Sequence, residues 1–370
     1  MTNKKNVTLI CDLQFGSTGK GLIAGYLAKR NRPDVLVSAW SPNAGHTYID
    51  ERGNTMIHTM LANGIVSDSV THVLIGPGSV VNLQSLFDEV SGAIKFGYLA
   101  GVQILIHPHA AIVQHWHREQ EEKTMTAIGS TKKGSGAALI EKIERNPHKA
   151  IVAKDVVKGS GEIFGWEFRT ESDPCVIRVA GYKQYDGIID QARNIQVEGA
   201  QGFSLGINSG FYPYTTSREC TPAQIMTDCH IPITKLAKVV GTMRTFPIRV
   251  ANRFDGNGKQ VGWSGPHYPD QEELEWSQLG IEPELTTVTK LPRRVFTFSY
   301  EQSKQAIRMC QPDEIFLNFC NYLPDADIDA LIDAIHEAGG LVRFTGHGPT
   351  DADVVDLEKV TDAEMELDRR

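Results

Sequence analysis

One loop constrains this chain more than any other stretch: Gln14-Phe15-Gly16-Ser17-Thr18-Gly19-Lys20-Gly21. It follows an apolar run, Val7 to Cys11, and precedes a helix-like run, Leu22 to Arg30. Strand, glycine turn and helix is the arrangement that aims backbone N–H groups at a phosphate. The glycines let the backbone pass close to the anion, and Lys20 adds a point charge. The loop departs from a Walker A motif, which needs Gly where this chain has Gln14 and Ser or Thr where it has Gly21. A plain tight turn before a helix would share part of this pattern. The anion reading gains from Asn43-Ala44-Gly45-His46-Thr47, a polar cluster just past the next strand.

The chain has 370 residues, 41% hydrophobic and 22% charged, enough for a sizeable core. A formal net charge of −8 argues against a nucleic-acid coat while leaving room for local basic pockets. The 6 cysteines are scattered without a CxxC pair and read as reduced thiols. No apolar run reaches membrane-spanning length, and Met1 to Asn6 is too polar for a signal peptide, so a cytoplasmic protein is expected.

Strands are expected at Val7–Cys11, Val35–Ala39, Thr55–Thr59, Val73–Ile75, Val102–Ile106, Asn194–Val197, Ile315–Phe319 and Leu341–Phe344. Helices are expected at Gly21–Arg30, Asn82–Phe96 with Asn82 as N-cap, Pro222–Cys229 and Asp325–Glu337. Ser41–Thr47 reads as a polar outlet, 147–193 as less regular, Arg244 to Arg249 as extended, and the charged tail from Asp351 as a solvated helix. Strands alternating with helices predict an α/β fold: one large domain spanning residues 1–370 around a central, mostly parallel sheet. Ligands in such sheets sit beyond the carboxyl ends of the strands, where both opening motifs fall.

Further loops suit anions. Gly129 to Gly136 carries Ser130, Thr131 and two lysines, though a solvated surface loop would look alike. Glu198-Gly199-Ala200-Gln201-Gly202 is another strand outlet, and Tyr212 to Ser217 is rich in hydroxyls. Thr286 to Arg294 pairs two arginines that could fork onto a carboxylate or serve as surface ion pairs. The histidines at 107, 109, 115 and 117 match no metal-ligand spacing, and no metal is expected there. Residues alone thus suggest an enzyme that joins several small anionic substrates, at least one of them a nucleotide.

Together these motifs resemble adenylosuccinate synthetase, from Thr8 to about Pro349. The family's Gln-Trp-Gly-Asp-Glu-Gly-Lys-Gly corresponds to Gln14–Gly21. Its Asn-Ala-Gly-His-Thr, Glu-Gly-Ala-Gln-Gly and Tyr-Pro-Tyr-x-Thr-Ser are matched at Asn43–Thr47, Glu198–Gly202 and Tyr212–Ser217. The resemblance implies a P-loop-related fold, a homodimer, Mg2+ and a two-step carbon–nitrogen ligase. A triphosphate phosphorylates O6 of a purine nucleotide, and the amine of L-aspartate then displaces that phosphate at C6.

The departures matter as much. The family's catalytic Asp, base at purine N1 and magnesium ligand, is Ser17 here. A general base is typically worth ~10²–10⁴-fold in rate. A carboxylate would crowd a purine 2-amino group that a hydroxyl can accommodate, which resembles the phage members that convert dGMP rather than IMP toward 2-aminoadenine. The family's ribose-facing Arg aligns near Leu291, and its guanine-selecting Thr-Lys-Leu-Asp reads Asn318-Phe319-Cys320-Asn321. Relaxed donor choice among ATP, dATP and GTP is therefore expected.

Residue by residue, the resemblance implies these roles. Ser17, Thr18, Gly19, Lys20 and Gly21, with Asn321 and Gly346, would hold the triphosphate. Ser17, His46 and Gln201 would act in catalysis. Ser17, Asn43, Ser130, Thr131, Gln201 and Thr216 would hold the purine nucleotide, and Arg145 would reach the 5′-phosphate of a neighbouring subunit. Thr289, Arg293 and Arg249 would hold aspartate, and Ser17 and Gly45 the magnesium. An IMP-using synthetase and a non-catalytic nucleotide-binding protein remain as alternatives.

Overall fold

The computed structural model describes residues 5–124, 132–158, 162–163, 175–286 and 290–359. The opening apolar run forms β1 (Val7–Asp12), which lies between parallel neighbours Ile195–Glu198 and Leu236–Arg244. Outward from one side follow Glu314–Asn318, Val342–Gly346 and Val354–Asp356; from the other follow Val35–Ser38, His72–Ile75, Gln103–Ile106, Val176–Val179 and two short strands. Pairing is parallel through the centre and antiparallel only at the two edges.

A parallel sheet covered on both faces needs strands that are apolar throughout, which is why β1 reads as a run rather than an alternation. Its side chains still alternate between faces. Leu9 and Cys11 join one core with Ile307 and Cys310, while Ile10 packs with Leu22, Ile23 and Leu27 of helix α1 (Lys20–Asn31) and with Phe316 and Phe344. All six cysteines are buried free thiols. No helix among the described residues is long and apolar enough to cross a membrane.

Asn82 caps its helix as expected, its side chain accepting from Ser85 N at 3.1 Å. Three expectations need correction, and one central strand had no expectation at all. Thr55–His58 is a strand, but it pairs with His46–Ile49 in a hairpin outside the main sheet, so the polar outlet at Ser41–Thr47 ends inside a strand. The stretch 147–193 contains the strand Val176–Val179 and the helix Tyr182–Gln191. Leu236–Arg244 is a central strand that no apolar run announced, because Lys238 and Gly241 interrupt it; Lys238 is neutralised by Glu314 at 2.7 Å. Beyond Asp351 the chain adds an edge strand, Val354–Asp356, whose Asp356 carboxylate pairs with Arg30 and Arg343; residues 360–370 of the expected tail helix lie outside the described residues.

Phe316 is fully buried where α1 meets the sheet. Truncating a buried aromatic typically costs 3–5 kcal/mol, so Phe316→Ala is expected to lower the unfolding free energy by about 3–5 kcal/mol in denaturant titrations.

Candidate active site

β1 ends in a buried carboxylate, Asp12, which is 2% exposed. Its Oδ1 accepts from Gln14 N at 2.8 Å and Gly16 N at 3.2 Å. Its Oδ2 accepts from the Thr18 hydroxyl and from Lys20 Nζ, the latter at 2.9 Å. The loop bends around this anchor with Gly16, Ser17 and Gly19 at φ 91°, 58° and 87°. Left-handed backbone costs a non-glycine residue roughly 1–2 kcal/mol, which the four donors to Asp12 help to offset. Ser17, alone among these loop residues, is exposed, and it faces a cavity of about 760 Å³.

Three other segments close on the loop. Lys20 Nζ also donates to Gln201 O at 2.9 Å. A Cβ built on Gly202 would fall 2.5 Å from both Asp12 Oδ1 and Gly16 N, so only glycine permits this approach. Likewise the start of α1 packs so closely on Thr47 that a Cβ at Gly21 would strike its backbone. Thr242, on the neighbouring strand, shares the Thr18 hydroxyl.

His46 lines the cavity yet is only 6% exposed, and its Nε2 has no protein partner. Burial, then the Lys20 charge, then His58 opposite it in the hairpin, hold its pKa well below the usual 6.5, so the ring is neutral. A neutral imidazole can still donate one N–H. The buried Asn43 Oδ1 also lacks a protein partner.

On the far wall, Arg244 is completely buried and forks onto Glu284, with Nη1 to Oε2 at 3.2 Å and Nη2 to Oε1. Nη1 also donates to Ser17 O at 2.9 Å, and the guanidinium lies 3.9 Å from the Phe319 ring centroid. One cation thus ties the glycine loop to the loop carrying Glu284, Thr286, Leu291 and Arg293, all of which line the cavity.

Of the residues singled out from sequence, Ser17, Thr18, Gly19, Lys20, Gly21, Asn43, Gly45, His46, Gln201 and Arg293 line this one cavity. Leu291 lines it as well. Gly346 ends its strand against Asn318, while Asn321 is exposed on the turn Cys320–Tyr322. Thr216 is half-buried and donates its N–H to Leu205 O at 2.8 Å. Arg145 is exposed at the end of the helix Ser135–Glu144. Ser130, Thr131 and Thr289 lie outside the described residues.

Arg249 does not line this cavity. It sits on a short strand paired with Arg294–Phe296, behind the cavity-lining Phe15. Its guanidinium donates to Ser264 O and Tyr214 O and stacks on Phe15 at 4.6 Å, and burial lowers its pKa to about 9. His107 and His109 pack on Tyr182, and His117 bonds Glu141 at 2.8 Å. No group of three or more metal-ligating side chains occurs among the described residues. Sequence reasoning missed Asp12, Arg244 and Glu284. Asp12 carried a local signal, a carboxylate closing an apolar strand; the Arg244–Glu284 pair spans 40 residues and carried none.

The family model for adenylosuccinate synthetase matches residues 9–162 and 167–331. The N6-succino-2-amino-2'-deoxyadenylate synthase of Acinetobacter phage SH-Ab 15497 is 54% identical over 95% of this chain and 93% of that protein. The succinoaminodeoxyadenylate synthetase of Cyanophage S-2L, solved bound to dGMP and dATP as an energy donor, superposes with a TM-score of 0.84 at 42% identity and 95% coverage of both chains. The adenylosuccinate synthetase of Methanocaldococcus jannaschii is 27% identical over 85% of this chain and 83% of that protein.

Two outcomes follow from the buried charges. Removing one partner of a buried ion pair typically costs 3–5 kcal/mol, so Asp12→Asn is expected to destabilise the nucleotide-free protein by about that much in denaturant titrations. His58 is held at about 4 by burial. Its unfolded form takes up the proton first, so the stability from neutral His58 is complete above about 6.5 and is lost as pH falls toward 4. Wild type is expected to lose more stability than His58→Gln between those two pH values, as read by thermal melts.

Proposed function

The chain belongs to the adenylosuccinate synthetase family and is a ligase of that type; within it, we propose that this protein joins L-aspartate to C6 of dGMP at the expense of a nucleoside triphosphate. The product would be N6-succino-2-amino-2'-deoxyadenylate, a precursor of 2-aminoadenine in DNA. The observation that carries this reading is Ser17, a hydroxyl exposed on the cavity wall where the family resemblance expects a carboxylate, beside Lys20, His46 and Gln201. A serine leaves room for the purine 2-amino group and can accept its hydrogen bond.

In the first step O6 of dGMP attacks the γ-phosphorus, the bond to the leaving nucleoside diphosphate breaks, and the N1 proton passes to solvent water. Lys20 and the backbone N–H groups of Ser17 to Gly21 would hold the donor phosphates, a role supported by the left-handed turns that open the loop. His46 would donate from Nε2 to the transferring phosphoryl group, where a positioned donor in a dry site is worth most. In the second step the aspartate amine attacks C6, the C6–O bond breaks, and phosphate leaves with the proton that the amine gives up. Arg293, with Thr289, would bind the aspartate carboxylates.

Asn43, Gln201, Thr216, Ser130 and Thr131 would hold the purine nucleotide. Arg145 would serve a second subunit of a homodimer, a role its exposed place outside this chain's cavity supports. Mg2+ is the proposed cofactor. Ser17 and Gly45 offer the oxygen donors that a hard cation takes alongside water and substrate phosphates. When bound, it would neutralise charge on the donor phosphates. With Asn321 in place of the family's guanine-binding Asp, ATP, dATP and GTP would all serve as donor.

The test is phosphate release with Mg2+, L-aspartate and ATP, comparing dGMP with IMP. Turnover with dGMP and little with IMP is expected; turnover with IMP alone would overturn the reading. Asp tolerates left-handed backbone better than most residues, so Ser17→Asp fits the loop. Overpacking costs ~1–3 kcal/mol, so this variant is expected to lose roughly 10- to 100-fold in kcat/KM for dGMP while gaining on IMP. ATP and dATP are both expected to support turnover, and a strict requirement for GTP would contradict the donor assignment.

A further inference from the structure

We infer that Trp40 is a positioning residue for His46, holding the plane of its imidazole fixed at the cavity wall while the phosphoryl group transfers. The inference rests on the reading of His46 as the donor to that group. The indole and imidazole rings are parallel to within 13°, with centroids 4.0 Å apart.

Something must fix that ring, because the outer torsion of a histidine is broad and the backbone alone does not set the plane of the imidazole. His46 also opens a two-stranded hairpin outside the main sheet, and such hairpins are marginal on their own. Trp40 supplies the missing rigidity because it is fixed on every side. Its indole N–H donates to Glu198 O at 2.6 Å, its carbonyl accepts from Val80 N at 3.0 Å, and it is 2% exposed. Arg218 clamps both sequence neighbours, donating to Ala39 O at 2.7 Å and to the Ser41 hydroxyl.

Glu198 serves both partners of the stack. Its carbonyl holds the indole, and its carboxylate accepts from Asn63 N at 2.8 Å, while the Asn63 amide donates to His46 O at 3.3 Å. The Glu198–Gly202 motif thereby sets His46 through Trp40 on one side and through Asn63 on the other.

The experiment compares Trp40→Phe and Trp40→Leu with His46→Asn, using dGMP, L-aspartate, ATP and Mg2+. Phosphate release gives kcat and KM, and proton NMR gives the His46 ring shifts. Small misplacements of a catalytic group can cost about 10²-fold, so Trp40→Leu is expected to lower kcat roughly 10- to 100-fold while KM for dGMP changes less than about threefold. Trp40→Phe, which keeps an aromatic face, is expected to stay within about threefold of wild type. The upfield ring-current shift of the His46 protons should persist in Trp40→Phe and vanish in Trp40→Leu.

Wild-type kcat in Trp40→Leu, with His46→Asn inactive, would overturn the inference. An absence of any ring-current shift in the wild-type protein would overturn it as well, whatever the folding of the variants. Full activity in His46→Asn would instead overturn the role given to His46, and with it the positioning role of Trp40.

Discussion

The active-site architecture hangs on one buried carboxylate. Asp12 receives two backbone amides, a hydroxyl and an ammonium, which together use the four lone-pair positions a carboxylate offers. A buried charge is tolerated only when paired and hydrogen-bonded, and here the pairing itself shapes the loop. Through Lys20 the anchor reaches Gln201, and through Thr18 it reaches Thr242 on the neighbouring strand. Because its oxygens are committed, Asp12 organises the loop rather than taking a substrate proton, and Ser17 is the loop residue that meets the cavity.

The cavity reverses the balance of the chain around it. The protein carries a formal charge of −8, yet Lys20, Arg118, Lys133, Arg253 and Arg293 all line this one space. Charges gathered on a cleft wall act locally and are little affected by the net balance of a distant surface. Glu284 also lines the cavity, and its fork with Arg244 matches its charge while binding two walls together. Burial first, and then the Lys20 charge, keep His46 neutral, so its ring can donate a hydrogen bond without bringing another full charge to the site.

Much of this architecture is legible in the amino-acid sequence. The loop at 14–21, the clusters at 43–47 and 198–202, and the α/β alternation are local patterns, and local patterns fix where strands end and which backbone groups face a ligand. Their shared cavity follows from parallel strands, whose carboxyl ends must lie on one side of the sheet. Leu236–Arg244 escaped because packing against β1 and pairing of Lys238 with Glu314 overrode a weak apolar signal. That Arg249 stacks on Phe15 was not legible, because the two residues meet only through the tertiary fold.

Residue order pointed by itself to an enzyme that binds small anions, since glycines, a lysine and hydroxyls at strand outlets limit what those loops can hold; the ligase chemistry came from the likeness of its motifs to adenylosuccinate synthetase. How those groups are held was settled by the tertiary fold. Asp12 beneath the loop, Arg244 across it and Trp40 against His46 draw on partners up to hundreds of residues away. Their energies come from burial and pairing, and these exist only once the sheet has closed and water has left.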